Sequence, residues 1–209
     1  IPTFVLMLGQ RLLAGQLLIA TFGVLFLVQE RGLTTEVATL VMLPFGAGFL
    51  IGTFGGGVVT DLLNARFPQR GHVVVLQTAQ FGIGTAALLG MQIDWGSIAI
   101  FAIFWTMMGF MQGINPSVNR PIVAAVVPPE LRGAAFALML SVFEAIAFIA
   151  LNLSAGFLAA TLGLSAVMLL FPGILMIVNG LYCTALYRTY PRDVARLETQ
   201  LRLRAAEQG

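Results

Sequence analysis

The sequence predicts an all-α polytopic membrane protein with six transmembrane helices forming one six-helix bundle. Hydrophobic residues fill 58% of the 209 positions, charged residues only 10%, and the mean hydropathy is +0.93. That leaves too little polar sequence to coat a soluble domain of this size. The apolar residues gather into six runs, and about 20 such residues in a helix cross a hydrocarbon core about 30 Å thick. Strand-length alternation is absent and each run is far too long for a strand, so sheet does not compete.

The bundle occupies residues 1–190, with spans at about 3–29, 37–60, 72–91, 97–126, 133–160 and 164–187, followed by a tail over 191–209. The first run is no cleaved signal peptide: it lacks a basic leader, is too long and precedes five further spans. The start Ile1-Pro2, without Met, predicts missing residues upstream. In span 2, Gly48, Gly52 and Gly56 recur every four residues on one face, where helix backbones approach closely in lipid; a hinge is the alternative. Span 4 carries Pro116 and Pro121, and proline removes a backbone donor. A break is therefore expected there, of the kind tolerated beside neighbours or a wet cavity. Trp95 and Tyr187 sit near span ends as interfacial aromatics do, whereas Trp105 lies deeper and faces lipid or a cavity. Beyond Pro191, Val194, Leu197 and Leu201 share one face and Glu198 pairs with Arg202 four residues on. That pattern predicts a short amphipathic helix on the inner membrane surface, with a solvated tail as the alternative.

Composition excludes several functions. Cys183 is the single cysteine and His72 the single histidine, so no disulfide framework or multi-histidine metal site is expected. His72 falls at a loop edge, where a surface role is expected. All eleven basic residues are Arg, so there is no Walker lysine for ATP hydrolysis. No Ser/His pair, HExxH motif or paired transmembrane Asp marks an intramembrane enzyme. No cofactor, metal or nucleic-acid partner is expected; the lipid bilayer is. Arg66, Arg70, Arg132 and the tail arginines fall on one side of the membrane, which the positive-inside rule makes cytoplasmic, with both termini. Arginine without lysine points to a GC-rich bacterial genome and hence to a bacterial inner membrane.

Three ionisable residues lie well inside spans: Arg11, Arg120 and Glu144. A mid-span charge costs roughly 2.5–3.5 kcal/mol on insertion scales, so such groups face a cavity and a partner. Helical rise places both arginines about 10–12 Å deep and Glu144 about 20 Å. Desolvation favours the protonated form of a carboxylate, which makes Glu144 the proton-coupling candidate; a structural Glu–Arg pair is the alternative. Arg11 and Arg120 suit an anionic substrate group, since guanidinium binds carboxylate or phosphate in bidentate fashion. Alternatively one pairs with Glu144 and the other snorkels to the interface. Gln10, Gln16, Gln112, Asn115, Asn119 and Asn152 are further candidates for the substrate cavity, or ties between helices. Spans 3 and 6 hold no buried charge, only Gln77, Gln80 and Asn179, and are expected to face lipid.

Two stretches resemble motifs of the major facilitator superfamily. Gly57-Val-Val-Thr-Asp61-Leu-Leu-Asn-Ala-Arg66-Phe-Pro-Gln-Arg70 is similar to its cytoplasmic signature, with Leu62 in place of a basic residue and Asn64 in place of Gly. Pro128-Pro129-Glu130-Leu131-Arg132-Gly133 resembles the junction entering helix 11. The resemblance spans nearly the whole chain and implies the carboxy-terminal half, helices 7–12, of a twelve-helix transporter. It implies that spans 1, 2, 4 and 5 line a central cavity and that spans 3 and 6 pack outside. It also implies a cytoplasmic gate at Gly57, Asp61, Arg66, Arg70 and Arg132, with Asp61 accepting hydrogen bonds from the start of span 5.

The expected function is secondary active transport of a small organic solute by alternating access, with an anionic substrate and proton coupling as the candidate features. A single six-helix bundle needs the missing amino-terminal six helices or a second copy to enclose a pathway. The alternative is a membrane partner or assembly factor that keeps the fold without transporting.

Overall fold

The computed structural model describes residues 1–208, and all regular structure among them is helical. Six helical stretches are long and apolar enough to cross a membrane: Pro2–Arg31, Thr35–Arg66, Arg70–Gln92, Ile98–Val126, Pro129–Leu162 and Leu164–Glu207. They are called spans 1 to 6 below. Spans 1, 2, 3, 5 and 6 contain the runs read from the sequence, with polar residues continuing the helices beyond the apolar segment, whereas span 4 begins one residue later than read, at Ile98.

Spans 2 and 4 are locked together by glycines from both sides. A Cβ at Gly48 or Gly52 would overlap the backbone of Thr106 or Phe110, and one at Gly109 or Gly113 the backbone of Phe45 or Phe49. Gly56 continues the row, 3.0 Å from the Ile114 Cα by the same construction. The row expected from the sequence is therefore half of a reciprocal seam, in which neither helix tolerates a side chain.

The helices break where the sequence did not indicate. Span 4 stays α-helical through Pro116 and Pro121. Pro116 leaves the Gln112 carbonyl without its usual donor, and Asn115 Nδ2 supplies one at 3.3 Å. Span 1, by contrast, divides into Pro2–Leu12 and Leu17–Arg31. Spans 5 and 6 widen into π-helix at Leu138–Phe143 and Leu169–Leu175, the latter containing Pro172. Gly15, in the gap of span 1, lies against the Phe171 backbone, so the two irregular stretches fit together. Asn179 Nδ2 donates to the carbonyls of Gln10 and Leu13, both at 3.2 Å, and stitches the gap to span 6.

The far end of the bundle is tied by the last turn of span 1. Glu30 accepts from the backbone N–H groups of Leu164 and Ser165 at 3.1 and 3.2 Å and from the Ser165 hydroxyl at 3.0 Å. A carboxylate there satisfies free N–H groups at the start of span 6 and meets the positive end of its dipole. Arg31 donates to the Met91 carbonyl and lies over the rings of Phe26 and Phe101.

At the end carrying the chain termini, Leu186–Gln208 is one helix that runs through Pro191. It does not begin afresh after the proline. Tyr190, Asp193, Val194 and Leu197 are buried, and the Asp193 carboxylate accepts from the Thr3 N–H at 2.7 Å. The amphipathic face thus packs beneath the bundle and caps span 1. Arg204 and Glu130, 2.5 Å apart, bridge the tail to the link before span 5.

Span 3 is the most enclosed helix: 56% of its central residues are buried, against 22% for spans 2 and 5. It lies between spans 4 and 6, and Gln77 donates to the Gly180 carbonyl and accepts from the Tyr187 hydroxyl. Val74, Thr78, Thr85 and Leu89 form its exposed stripe, so the part of span 3 open to lipid is one narrow face. Trp105 faces neither lipid nor cavity; it is fully buried beside Gly23 and edge-on to Phe45. His72 is half-buried and packs edge-on against Tyr190.

Candidate functional site

A cavity of about 380 Å³ opens between spans 1, 2, 4 and 5. Its polar lining is Arg11 and Gln16 from span 1, Gln112, Asn115, Asn119 and Arg120 from span 4, and Glu144 from span 5. Leu17, Phe49, Pro116 and Leu140 supply the apolar part. Seven residues singled out from the sequence therefore meet in one place.

Local backbone geometry explains the convergence. Residues 112, 115, 116, 119 and 120 follow the three- and four-residue spacing that puts side chains on one helix face. Arg11 and Gln16 flank the gap in span 1, which keeps both at the cavity although five residues of unbroken helix would turn them about 140° apart. Glu144 follows the π-helical stretch directly. Such insertions re-aim the residues after them and recur at functional sites.

The centre of the site is an ion pair. Arg11 Nη1 stands 3.7 Å from Glu144 Oε2, with the arginine side chain 8% exposed and the carboxylate 33%. The separation exceeds hydrogen-bonding distance, so the pair is held in register but not closed. Arg120 is exposed on the same cavity and has no ion-pair partner among the described residues. Asn115 is engaged: its Oδ1 accepts from Gln80 Nε2 at 2.7 Å while its Nδ2 serves the carbonyls beside Pro116. Asn119 is fully buried, and neither of its side-chain polar atoms has a partner among the described residues. Gln16 Oε1, Gln112 Oε1 and Arg11 Nε are likewise unpartnered.

Two candidates lie elsewhere. Gln10 is fully buried with both side-chain polar atoms unpartnered, and it does not line the cavity. It is next to Arg11, and adjacent helical residues point about 100° apart. Asn152 donates to the Phe148 carbonyl of its own helix at 2.8 Å. Sequence reasoning also missed Asn179 and Gln80 as supports of the site. The signal was present in both, since an amide inside a span requires a partner.

The signature motif occupies the terminus-bearing end of span 2, remote from the cavity. Asp61 is exposed and makes no hydrogen bond or ion pair among the described residues, so the contact expected with the start of span 5 is not formed. Asn64 closes that link instead, accepting from the Gln69 N–H at 3.1 Å where Gln69 takes φ 65°. Gly57 faces open space, Arg66 lies over the Phe67 ring, Arg70 opens span 3, and Arg132 Nε donates to the Val127 carbonyl at 3.3 Å.

No curated protein matches the chain. The family model described as Major Facilitator Superfamily matches residues 3–207, over all six spans. With an all-helical polytopic fold, a polar cavity among apolar spans and that match, this chain belongs to the major facilitator superfamily of membrane transporters.

Proposed function

We propose that the chain forms one six-helix half of a secondary active transporter that carries a small organic anion together with a proton through the cavity described above. The observation that carries this reading is the open Arg11–Glu144 pair, with Arg120 on the same cavity. Arg11 is a shared resource. An ionised Glu144 competes with an anionic substrate for the guanidinium, whereas a protonated Glu144 releases it. Two guanidiniums then hold a carboxylate or phosphate through charge-assisted hydrogen bonds. Proton and anion therefore bind as a pair and leave as a pair. The chain has no lysine, hence no Walker phosphate loop, and an ion gradient supplies the driving force.

Alternating access works by rocking one bundle against another around a site near the midplane. The second bundle is either an amino-terminal half on the same polypeptide, which makes this chain helices 7–12, or a second copy. The open apolar faces of spans 2 and 5 support its presence: Leu50, Phe54, Leu153 and Phe157 are 60–77% exposed. The assembly lies in a bacterial inner membrane with both termini cytoplasmic, and Gly57, Asp61, Arg66, Arg70 and Arg132 act at the cytoplasmic gate when the bundles rock.

The test uses the assembled protein, purified from its native membrane and reconstituted in proteoliposomes with a panel of radiolabelled small carboxylates. An acid-outside gradient should drive accumulation of one of them. Glu144→Gln should lower gradient-driven accumulation at least tenfold while keeping anion exchange between equal pH, and Arg11→Ala should lose both. Accumulation by Glu144→Gln at the wild-type level would sink proton coupling through this residue.

A further inference from the structure

We infer that the seam between spans 3 and 6, at the end carrying the chain termini, holds an anionic phospholipid of the adjoining leaflet. Its phosphate lies among Arg70, Arg188 and Arg192, and its acyl chains lie on the apolar stripe that leads away from them. Such a site is separate from the cavity and independent of the solute carried there.

Span 6 bears one exposed stripe that runs from the hydrocarbon into the tail. Ile174, Val178 and Leu181 are 43%, 43% and 60% exposed, and Arg188 and Arg192 continue the stripe, also exposed, in the three- and four-residue register of one helix face. On the opposite side Leu186, Tyr190, Val194 and Leu197 are buried. Span 6 does not line the cavity, so its exposed face looks away from it, into lipid. Span 3 repeats the pattern, with Arg70, Val74 and Thr78 exposed at intervals of four residues. The two stripes adjoin where Gln77 Nε2 donates to the Gly180 carbonyl and to the Thr184 hydroxyl at 2.9 and 3.0 Å. Counted along each helix from that contact toward the termini, Arg70, Arg188 and Arg192 fall within a band about 6 Å deep.

The three guanidiniums have no ion-pair partner among the described residues. The acidic groups at this end are engaged elsewhere or unpaired: Glu130 pairs with Arg204, Asp193 caps span 1, and Asp61 and Glu198 make no ion pair among the described residues. Guanidinium binds phosphate in bidentate fashion, and basic pockets between transmembrane helices bind anionic lipid headgroups. Depth agrees with that partner. Helical rise puts Thr184 about 30 Å and Arg188 about 36 Å from Leu164 at the other end of span 6, against a hydrocarbon core of about 30 Å and roughly 40–45 Å with both headgroup layers. Thr184 thus stands at the level of the lipid esters and the arginines at the level of the phosphates. Thr184 is also prepared for an ester carbonyl. Thr189 and Thr199 of the same helix donate to the carbonyls four residues back. The exposed Thr184 hydroxyl accepts from Gln77 and donates to nothing among the described residues, because Gln77 has taken the Gly180 carbonyl. A free phosphate would use the arginines alone; an amphiphile uses the arginines, the hydroxyl and the apolar stripe together.

The experiment is native mass spectrometry of the assembled protein in detergent, with phosphatidylglycerol and phosphatidylcholine of identical acyl chains added in equal amounts. Retention of phosphatidylglycerol should exceed that of phosphatidylcholine at least fivefold. Arg188→Gln combined with Arg192→Gln should reduce that preference at least threefold, whereas Arg202→Gln combined with Arg204→Gln should leave it unchanged. Thr184→Val, which removes the hydroxyl and no charge, should lower phosphatidylglycerol retention at least twofold and carries the test if the double arginine variant does not fold. Binding, not transport, is read, so a role of Arg70 at the gate does not enter. Equal retention of the two lipids, or a preference that survives both Arg188→Gln with Arg192→Gln and Thr184→Val, overturns the site. Displacement of the lipid by an equal concentration of inorganic phosphate overturns the lipid as its occupant.

Discussion

Asn179 holds a broken helix together with a single amide group. Span 1 leaves α-helical geometry between Leu12 and Leu17, and the Ala14 N–H turns to the Arg11 carbonyl at 3.2 Å instead of that of Gln10. Within a bilayer no water is at hand to take up a freed carbonyl; Asn179 Nδ2 does so for Gln10 and adds a second donor to the Leu13 carbonyl, which also accepts the Gly15 N–H at 2.9 Å. Asn179→Leu should therefore cost about 1–3 kcal/mol and lower the thermal unfolding midpoint measured in detergent. An unchanged midpoint would show that the gap needs no such support. Because Arg11 and Gln16 flank the gap, the variant should also weaken ligand binding beyond its effect on stability. At this scale the sequence was most informative where chemistry is most expensive. Arg11, Arg120 and Glu144 stand out because a charge in lipid demands a partner, and the four amides around them follow. Gln10 and Asn152 show the limit, since an amide type does not reveal helix rotation, and rotation decides which side chain reaches a cavity.

Helix seams were half legible. Glycines every four residues in span 2 announce a close approach, but the partner had to be seen: Gly109 and Gly113 of span 4 complete the interlock. Gly52→Ala should place a methyl into the Phe110 carbonyl, with neither backbone free to move. Overpacking of this kind costs about 1–3 kcal/mol, read as a lower unfolding midpoint and loss of monodispersity on size exclusion. Gly55→Ala, three residues along the chain, meets nothing within 4 Å. It should be neutral or stabilising by up to about 1 kcal/mol through helix propensity. Equal effects at both positions would remove the seam from the account. The breaks were not legible, for a physical reason. A proline marks a missing donor, and whether the helix yields depends on what replaces it. At Pro116 a neighbouring asparagine repairs the carbonyl and the helix continues. In span 6 the helix widens around Pro172, and in span 1 it opens without any proline, against the backbone of span 6.

At the scale of the whole molecule, membrane thickness makes the number of spans legible, and charge predicts their direction. Of the eleven arginines, Arg66, Arg70, Arg132, Arg188 and the four of the tail lie at the end carrying the termini. Arg31 lies at the opposite end, its guanidinium on the Met91 carbonyl and two aromatic rings. Short connections rich in Arg stay on the cytoplasmic side, so the end with Glu207 should face inward and the turn with Asp94 outward. Cys183 is fully buried, so labelling of a cysteine added to this chain is read as the increase over the unsubstituted protein. In right-side-out vesicles a membrane-impermeant maleimide should label Asp94→Cys and spare Glu207→Cys until the membrane is permeabilised. The opposite pattern would invert the bundle. It would also move the signature motif around Asp61 to the outer face, where a cytoplasmic gate has no meaning, while the cavity, set between both ends, would keep its chemistry.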